Sequence, residues 1–341
     1  MQASRWMLLV LAAFLLARAS AAAQAAGNPP PSQNAPVPAQ AGTPGEIRDD
    51  LNRLVRLHGT PQHIVSLAPS LTETAFALDL GDRVAGVTDY CDFPPEARKR
   101  PRVGGPVNPN LEQIVSLHPD VVLATRALNR LETVEALERL GVPVYTTDPH
   151  TVDEVIASTR RLGKVLGAGA RAEALTAEME ERLSEITRRL AGRAPRRVFF
   201  VVWTEPIIST GQHTFLADAI RRAGGESVVN APQDWPQVSI EEVLRQNPEY
   251  LVFSGTHPED PQGTINTLRK RAGWSSMDAV RENHFAIVSD ALSRPGPRLI
   301  DAIEDLAHQL HADAFPAGAP PPAPAAASSR AQAPMQSGRG R

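Results

Sequence analysis

Residues 168–191 read AGARAEALTAEMEERLSEITRRLA, and this stretch decides the fold. It has no Pro and one Gly near its start, and Leu175, Met179, Leu183, Ile186 and Leu190 recur at helical spacing. Glu178 precedes Arg182 by four residues, and Glu185 precedes Arg189 likewise, the favourable order for ion pairs along a helix. About 24 residues at 1.5 Å each make a rod of roughly 36 Å. A rod of that length between two α/β halves reads as a rigid strut. The alternative is a packing helix within one continuous domain.

On both sides of it, short apolar runs alternate with helical patterns. Upstream, His63–Leu67, Val84–Thr88, Val121–Thr125 and Val142–Thr146 read as strands, separated by helices over Leu71–Leu80, Leu111–Leu117, Arg130–Leu140 and Val152–Leu166. Downstream, strands Val198–Trp203, Tyr250–Ser254 and Phe285–Ser289 alternate with helices Thr214–Ala223, Ser239–Arg245, Thr264–Ala272 and Leu299–His311. Strands this apolar, with helices between them, predict parallel sheets covered on both faces. Ser70 with Glu73 three residues later reads as a capping box on the first helix.

The ends differ from this middle. Residues 1–25 combine an early Arg, an apolar run from Trp6 to Ala17 and small residues. That order fits a cleavable secretory signal, cut after Ala21 or Ala25, and the run is short for a membrane span. Residues 26–46 and 316–341 are Pro/Ala-rich with little aliphatic bulk, and read as a disordered linker and tail. Residues 47–61 form a short amphipathic segment, and Glu46–Gly59 (EIRDDLNRLVRLHG) predicts a helix. The N-terminal lobe then covers 62–167, the bridging helix 168–193 and the C-terminal lobe 194–315.

The chain has 341 residues, 31 of them Pro, and a formal net charge of −3, which does not indicate nucleic-acid binding. It shows no GxGxxG after a strand, P-loop, HExxH, GxSxG or paired-Cys metal site. Cys91 is the sole cysteine, so it is either buried or a reactive thiol. The sequence therefore nominates no catalytic residue and no metal site. A cleft enzyme using Cys91 stays as an alternative.

What stands out is a set of rings and charges where strands end. Open α/β sheets bind ligands beyond the carboxyl ends of their strands. Tyr90 lies in GVTDYCDFPPEA, Trp203 ends a strand, Trp235 sits in QDWPQVS, and Asp290 with Arg294 lies in SDALSRPGPR. Rings and a charged pair from both halves suit a large, partly flat, amide-bearing ligand. Each also has an ordinary structural reading: core packing for the rings, a surface ion pair for Asp290 and Arg294.

The stretch IVSLAPSLTETAFALDLGDRVAGVTDYCDFPPEA, followed by RVGGPVNPNLEQIVSLHPDVVLA, resembles the N-lobe of class III periplasmic binding proteins of ABC transporters. WPQVSIEEVL and VSDALSRPGPR resemble the matching C-lobe, and within the class DYCDFPP and WPQVS look most like the cobalamin-binding members. The likeness runs from Gln62 to Phe315. It implies two Rossmann-like lobes bridged by one long helix, with little hinge motion, in a monomeric periplasmic protein without cofactor. It implies cobalamin or a related corrinoid as the transported ligand, held by Pro69, Tyr90, Trp203, Trp235, Asp290 and Arg294. It also implies docking on the inner-membrane permease dimer and its ATPase subunits through Glu112 and Glu241, with Glu242 as the neighbour in an alternative register. Both glutamates open helices, where a carboxylate also favours the helix dipole.

Two places depart from the resemblance. Some members carry Trp in the segment matching Gly104–Val107 and another just after the strand ending at Ala124; this chain has Gly105-Pro106 and Thr125 there. The alternative within the class is a haem or ferric-siderophore binder, with Tyr90 or His150 as axial ligand to haem.

Overall fold

A computed structural model describes residues 46–255 and 261–315. The expected secretory signal, most of the linker and the tail from residue 316 lie outside the described residues. The chain enters through a hairpin, β1 (Glu46–Arg48) paired antiparallel with β2 (Leu54–Arg56). This corrects the helix expected over 46–59. Asp49 accepts hydrogen bonds from the backbone N–H of Leu51 (3.1 Å) and Arg53 (2.8 Å), and Asn52 takes φ 61°. Such side-chain turns compete with helix. Tertiary ties complete the case: Asp50 accepts from Ser158 at 3.1 Å and from Arg161 at 2.7 Å, and Arg53 donates to Thr146 at 2.6 Å.

The N-lobe is a parallel sheet of β3 (Ile64–Ser66), β4 (Val84–Val87), β5 (Val121–Thr125) and β6 (Val144–Thr147), in the order β4-β3-β5-β6. Helices α1 (Pro69–Ala77), α2 (Leu111–Ser116), α3 (Leu131–Arg139) and α4 (Val152–Val165) connect and cover it. The strut α5 (Gly169–Leu190) follows. In the C-lobe, β7 (Arg196–Phe200) leads to the hairpin β8 (Trp203–Thr204) and β9 (Ile207–Ile208), then α6 (Phe215–Arg222) and β10 (Gly225–Ser227). The chain continues through α7 (Ile240–Gln246), β11 (Tyr250–Ser254), α8 (Pro261–Leu268), α9 (Asp278–Arg281), β12 (Phe285–Val288) and α10 (Leu299–Leu310). Its parallel sheet runs β10-β7-β11-β12. Numbered within each lobe, both sheets have the order 2-1-3-4.

Three expectations shift in detail. Strand β7 stops at Phe200, and Trp203 belongs to the β8–β9 hairpin that follows it. Helix α8 begins at Pro261, suited to the first turn of a helix, and ends at Leu268 rather than Ala272. The capping box is absent from α1: Ala68 is the N-cap without a side-chain bond, Pro69 opens the helix, and Ser70 is already inside it. A variant of it occurs on α4, where the N-cap Thr151 Oγ1 accepts from Glu154 N at 3.1 Å and Glu154 Oε2 accepts from the N–H of His150, one residue before the cap, at 2.6 Å.

The strut is neither a bare rod nor part of one lobe. Ala172, Leu175, Met179, Leu183 and Ile186 are buried in a core that runs from Ile64, Leu71 and Tyr145 to Val198, Phe200 and Ile303. Its polar side is tied to both lobes. Arg160 of α4 bonds Glu173 (2.8 Å) and Glu180 (2.9 Å) on the strut. Arg182 of the strut bonds Asp301 and Glu304 of α10, both at 2.7 Å, rather than pairing with Glu178. Glu185 and Arg189 do pair, at 2.5 Å. Beyond the strut, Asp218 of α6 accepts from Val152 N at the start of α4 (2.9 Å), and Arg222 pairs with Asp153 at 2.6 Å. So many interlobe bonds make a wide hinge rotation costly.

Candidate functional site

The nominated residues lie on loops at the carboxyl ends of β3, β4, β7, β10 and β12, and the loops after β3 and β4 meet the turn after β12 across the two lobes. Pro69 follows β3 directly. Its fixed φ and missing N–H make it a good first helical residue, and it is buried. Tyr90 leaves β4 half-buried, its ring beside Gly105.

Trp203 and Trp235 share one small ribbon. Trp203 pairs with Ile208 across β8–β9, Ile208 bridges to Gln237, and Ser209 N donates to Pro236 O at 3.1 Å. The Trp203 indole N–H donates to Glu205 O at 2.7 Å, which fixes one edge of the ring. Trp235 is half-buried, with part of its ring against the main core.

Asp290 and Arg294 form the expected pair, at 2.6 Å, within a larger cluster that the sequence did not announce. Arg294 reaches into the N-lobe to Glu73 (2.6 Å) and Asp92 (3.0 Å). Arg298, one turn on, bonds the same Glu73 oxygen at 3.1 Å and Asp290 at 3.3 Å, with its guanidinium 3.8 Å above the Phe93 ring. Three carboxylates thus surround two guanidiniums. Burial pushes the Glu73 carboxyl above its ordinary range, despite the pull of Arg294 and Arg298. Burial works against the Arg294 charge too, but Glu73 and Asp290 outweigh it and hold the guanidinium above its usual value.

Glu73, Asp92, Arg298 and Phe93 were missed. Arg298 lies in the quoted RPGPR, so a second Arg one turn after Arg294 was a usable signal. Glu73 was read as a cap, and no local pattern distinguishes a capping Glu from one aimed at another lobe.

Asn129 was also missed. It is buried, accepts from Thr125 N at 2.7 Å, and donates to Leu67 O at 3.1 Å and Pro106 O at 2.9 Å. One amide therefore ties the ends of β3 and β5 to the Gly105-Pro106 turn. These are the two places where the resemblance implied Trp, and a compact polar knot occupies them.

Cys91 is buried, its thiol between the hydroxyls of Thr72 and Thr88 at 3.1 Å each. Burial pushes the thiol above its ordinary range, which leaves little thiolate to attack anything. His150 is exposed on the outer edge of the N-lobe sheet, 3.3 Å from Asp148, beside the β1–β2 hairpin. Among the described residues, no group of three or more His, Cys, Asp or Glu is placed to hold a metal ion. Among them, no helix is long and apolar enough to cross a membrane.

Glu112 and Glu241 are exposed in the first turns of α2 and α7, one on each lobe. Neither forms an ion pair with the described residues. Glu242, by contrast, is engaged by Arg245 and by Gln246 at 3.0 Å.

Residues 64–292 match the periplasmic binding protein family. The chain is 31% identical over 256 residues to a vitamin B12-binding protein of Photorhabdus laumondii, covering 75% of this chain and 90% of that one. It is 31% identical over 323 residues to an ABC transporter substrate-binding lipoprotein of Bacillus subtilis, covering 92% of this chain and 98% of the other. Among solved structures, the periplasmic vitamin B12 binding protein of Vibrio cholerae superimposes with a TM-score of 0.67 at 28% identity, over 75% of this chain and 99% of that one. A periplasmic haem-binding protein of Roseiflexus gives 0.66 at 28% identity, over 74% and 99%. By sequence match and by its two strut-linked parallel sheets, the chain belongs to the periplasmic binding protein family.

Proposed function

We propose that this protein captures cobalamin or a related corrinoid outside the cytoplasm and delivers it to the permease of an ABC importer. This reading is supported by the meeting of the two lobes at Arg294, which bonds Asp290 of its own lobe and Glu73 and Asp92 of the other, with Tyr90 on the loop that also carries Asp92 and with Trp203 and Trp235 together on one C-lobe ribbon. Flat, weakly polar rings suit a corrin face, and the charged pair suits the amide groups on its rim. The sequence likeness to vitamin B12-binding proteins supports the same ligand. Glu112 and Glu241, exposed and without an ion pair among the described residues, support docking by one carboxylate per lobe on a two-subunit permease, through charge-assisted hydrogen bonds.

A haem is the second reading, favoured by the fold likeness to a haem-binding protein. Its axial ligand would be Tyr90, since His150 lies on the outer edge. Titration calorimetry with cyanocobalamin and, in parallel, haemin separates the two. One-to-one cyanocobalamin binding in the nanomolar range, about −12 kcal/mol, is expected. Tight haemin binding without cyanocobalamin binding would overturn the corrinoid reading and keep the importer role.

A further inference from the structure

The C-lobe supplies the cationic groups of the cleft, but it does not hold them alone. Arg294 lies 2.6 Å from Asp290 of its own lobe and 2.6 Å from Glu73 of the other. Glu73 is 2% exposed at its side chain. Its Oε1 accepts from both Arg294 and Arg298, while Oε2 is buried with no protein partner. On the strut side of this carboxyl lies a cavity of about 70 Å³, whose wall includes Glu73, Phe76, Phe93, Met179 and Arg298. In the same wall the Nε of Arg182 is likewise buried without an acceptor, while that of Arg171 lies 3.2 Å from Asp79. A cavity of this size has room for a few waters, and in its mostly apolar wall the charged side chains are the places that would hold them. Glu73 Oε2 and Arg182 Nε are thus two buried polar atoms without a protein partner on one wall.

We infer that Glu73 is a positioning residue: this N-lobe carboxylate sets the Arg294 and Arg298 guanidiniums in the arrangement that receives ligand, and so couples the register of the two lobes to the binding site. The role toward ligand rests on the proposed function above; the coupling between lobes does not. An Arg side chain free to rotate would have to be ordered on binding, whereas one already fixed from both lobes loses little further freedom. Stacking on Phe93 restrains the second guanidinium, that of Arg298, in the same way.

The groups that face Glu73 are Arg294, Asp290, Arg298 and Asp301 from the C-lobe, Asp92 from the loop after β4, and Asp79 beyond α1. The strut adds Arg171, Glu178 and Arg182. No histidine is among them. Because burial raises the Glu73 carboxyl, acid neutralises it at a higher pH than an ordinary glutamate. Neutral Glu73 keeps an acceptor but loses the charge that strengthens its bonds to the two guanidiniums.

The test measures cyanocobalamin affinity from about pH 8 to about pH 4, below the ordinary glutamate value, in the wild type, Glu73→Gln and Glu73→Asp. Spin labels on Glu132→Cys and Lys270→Cys, one exposed site per lobe, report the interlobe distance without ligand. Wild-type affinity is expected to weaken about 10- to 100-fold toward acid, the worth of charge-assisted hydrogen bonds to one buried group. Glu73→Gln should be weakened already at the upper pH and flat below it, with a broadened distance distribution, and Glu73→Asp should recover part of both. A purely structural role would lower thermal stability and leave the pH profile unchanged. Wild-type affinity and pH dependence in Glu73→Gln would overturn the inference. If that variant does not fold, the wild-type distance series decides: a distribution that does not broaden toward acid overturns it. If the wild type binds no cyanocobalamin at any pH, the ligand reading falls, and the distance measurement still decides whether Glu73 couples the lobes.

Discussion

The two sheets share the strand order 2-1-3-4, but the loops at their carboxyl ends behave differently. In the N-lobe they are locked to one another. Asn129 joins the ends of β3 and β5 to the Gly105-Pro106 turn. The Thr72 hydroxyl donates to Ser66 at 2.8 Å, Cys91 sits between Thr72 and Thr88, and Arg102 donates to Thr88 O at 2.6 Å. In the C-lobe the loop after the first strand instead forms the β8–β9 ribbon with Trp203, and the turn after the fourth strand carries Asp290 and Arg294 across to Glu73 and Asp92 of the other lobe. Strand order therefore fixes where loops emerge, and side-chain chemistry decides whether a loop becomes scaffold or contact. The N-lobe offers a rigid wall with one buried carboxylate, and the C-lobe offers cations and large rings.

Delivery should treat the lobes alike even though the cleft does not, and the largest expected effect lies there. In Glu112→Ala with Glu241→Ala, uptake of labelled cobalamin by cells should fall to background while calorimetry shows unchanged binding. Each single variant should lose a comparable share; a strong bias to one lobe would break the two-fold docking picture.

Next comes the charge that crosses the gap. Arg294→Met strips the buried Glu73 carboxylate of its nearest partner and should lower unfolding free energy by about 3–5 kcal/mol, read by urea denaturation. A change well below that would mean that Arg298 alone satisfies Glu73.

The scaffold role of the N-lobe loops predicts a further asymmetry. Asn129→Ala leaves three buried backbone groups without partners and should cost about 2–3 kcal/mol. In the C-lobe, Ser209 makes a single side-chain bond, to Phe200 O at 2.7 Å, and Ser209→Ala should cost about 1 kcal/mol. Equal losses in the two denaturation curves would remove the contrast.

The smallest effect is at the opposite end of the N-lobe sheet. Hydrogen bonds from the backbone N–H of Gln62, against a small burial cost, and of His63 hold the Asp120 carboxyl below its ordinary range. A depressed folded-state value contributes stability above the unfolded value of about 3.9 that is lost as pH falls through the folded one. Asp120→Asn should therefore be less stable near neutrality by under about 1 kcal/mol, the group being half exposed, and the gap should close in acid.

The alternation of apolar runs and helical patterns located the sheets because each strand is buried on both faces and so carries its own signal, as in Val121–Thr125. The hairpin at 46–56 was not legible, since Asp49, Asn52 and Arg53 act through a turn and through partners near residues 146–161. The ring residues of the candidate cleft were visible as large side chains in polar loops. Glu73 was hidden by its own neighbourhood: in a helix's first turn, a Ser and a Glu three apart spell a cap whatever they later touch.

The sequence by itself determined two α/β halves and the rod between them, and marked out the lone thiol and the loops with large rings and charges. These follow from periodicity and turn chemistry, which act over a few residues. Only the tertiary structure decided that the strut's buried face joins both lobes in one core, and that Arg182 leaves Glu178 for α10. It also decided that Glu73 and Arg294, 221 residues apart, share one buried cluster. Partners so distant are chosen by the meeting of two folded surfaces, where loss of water makes a paired charge necessary and an unpaired one costly.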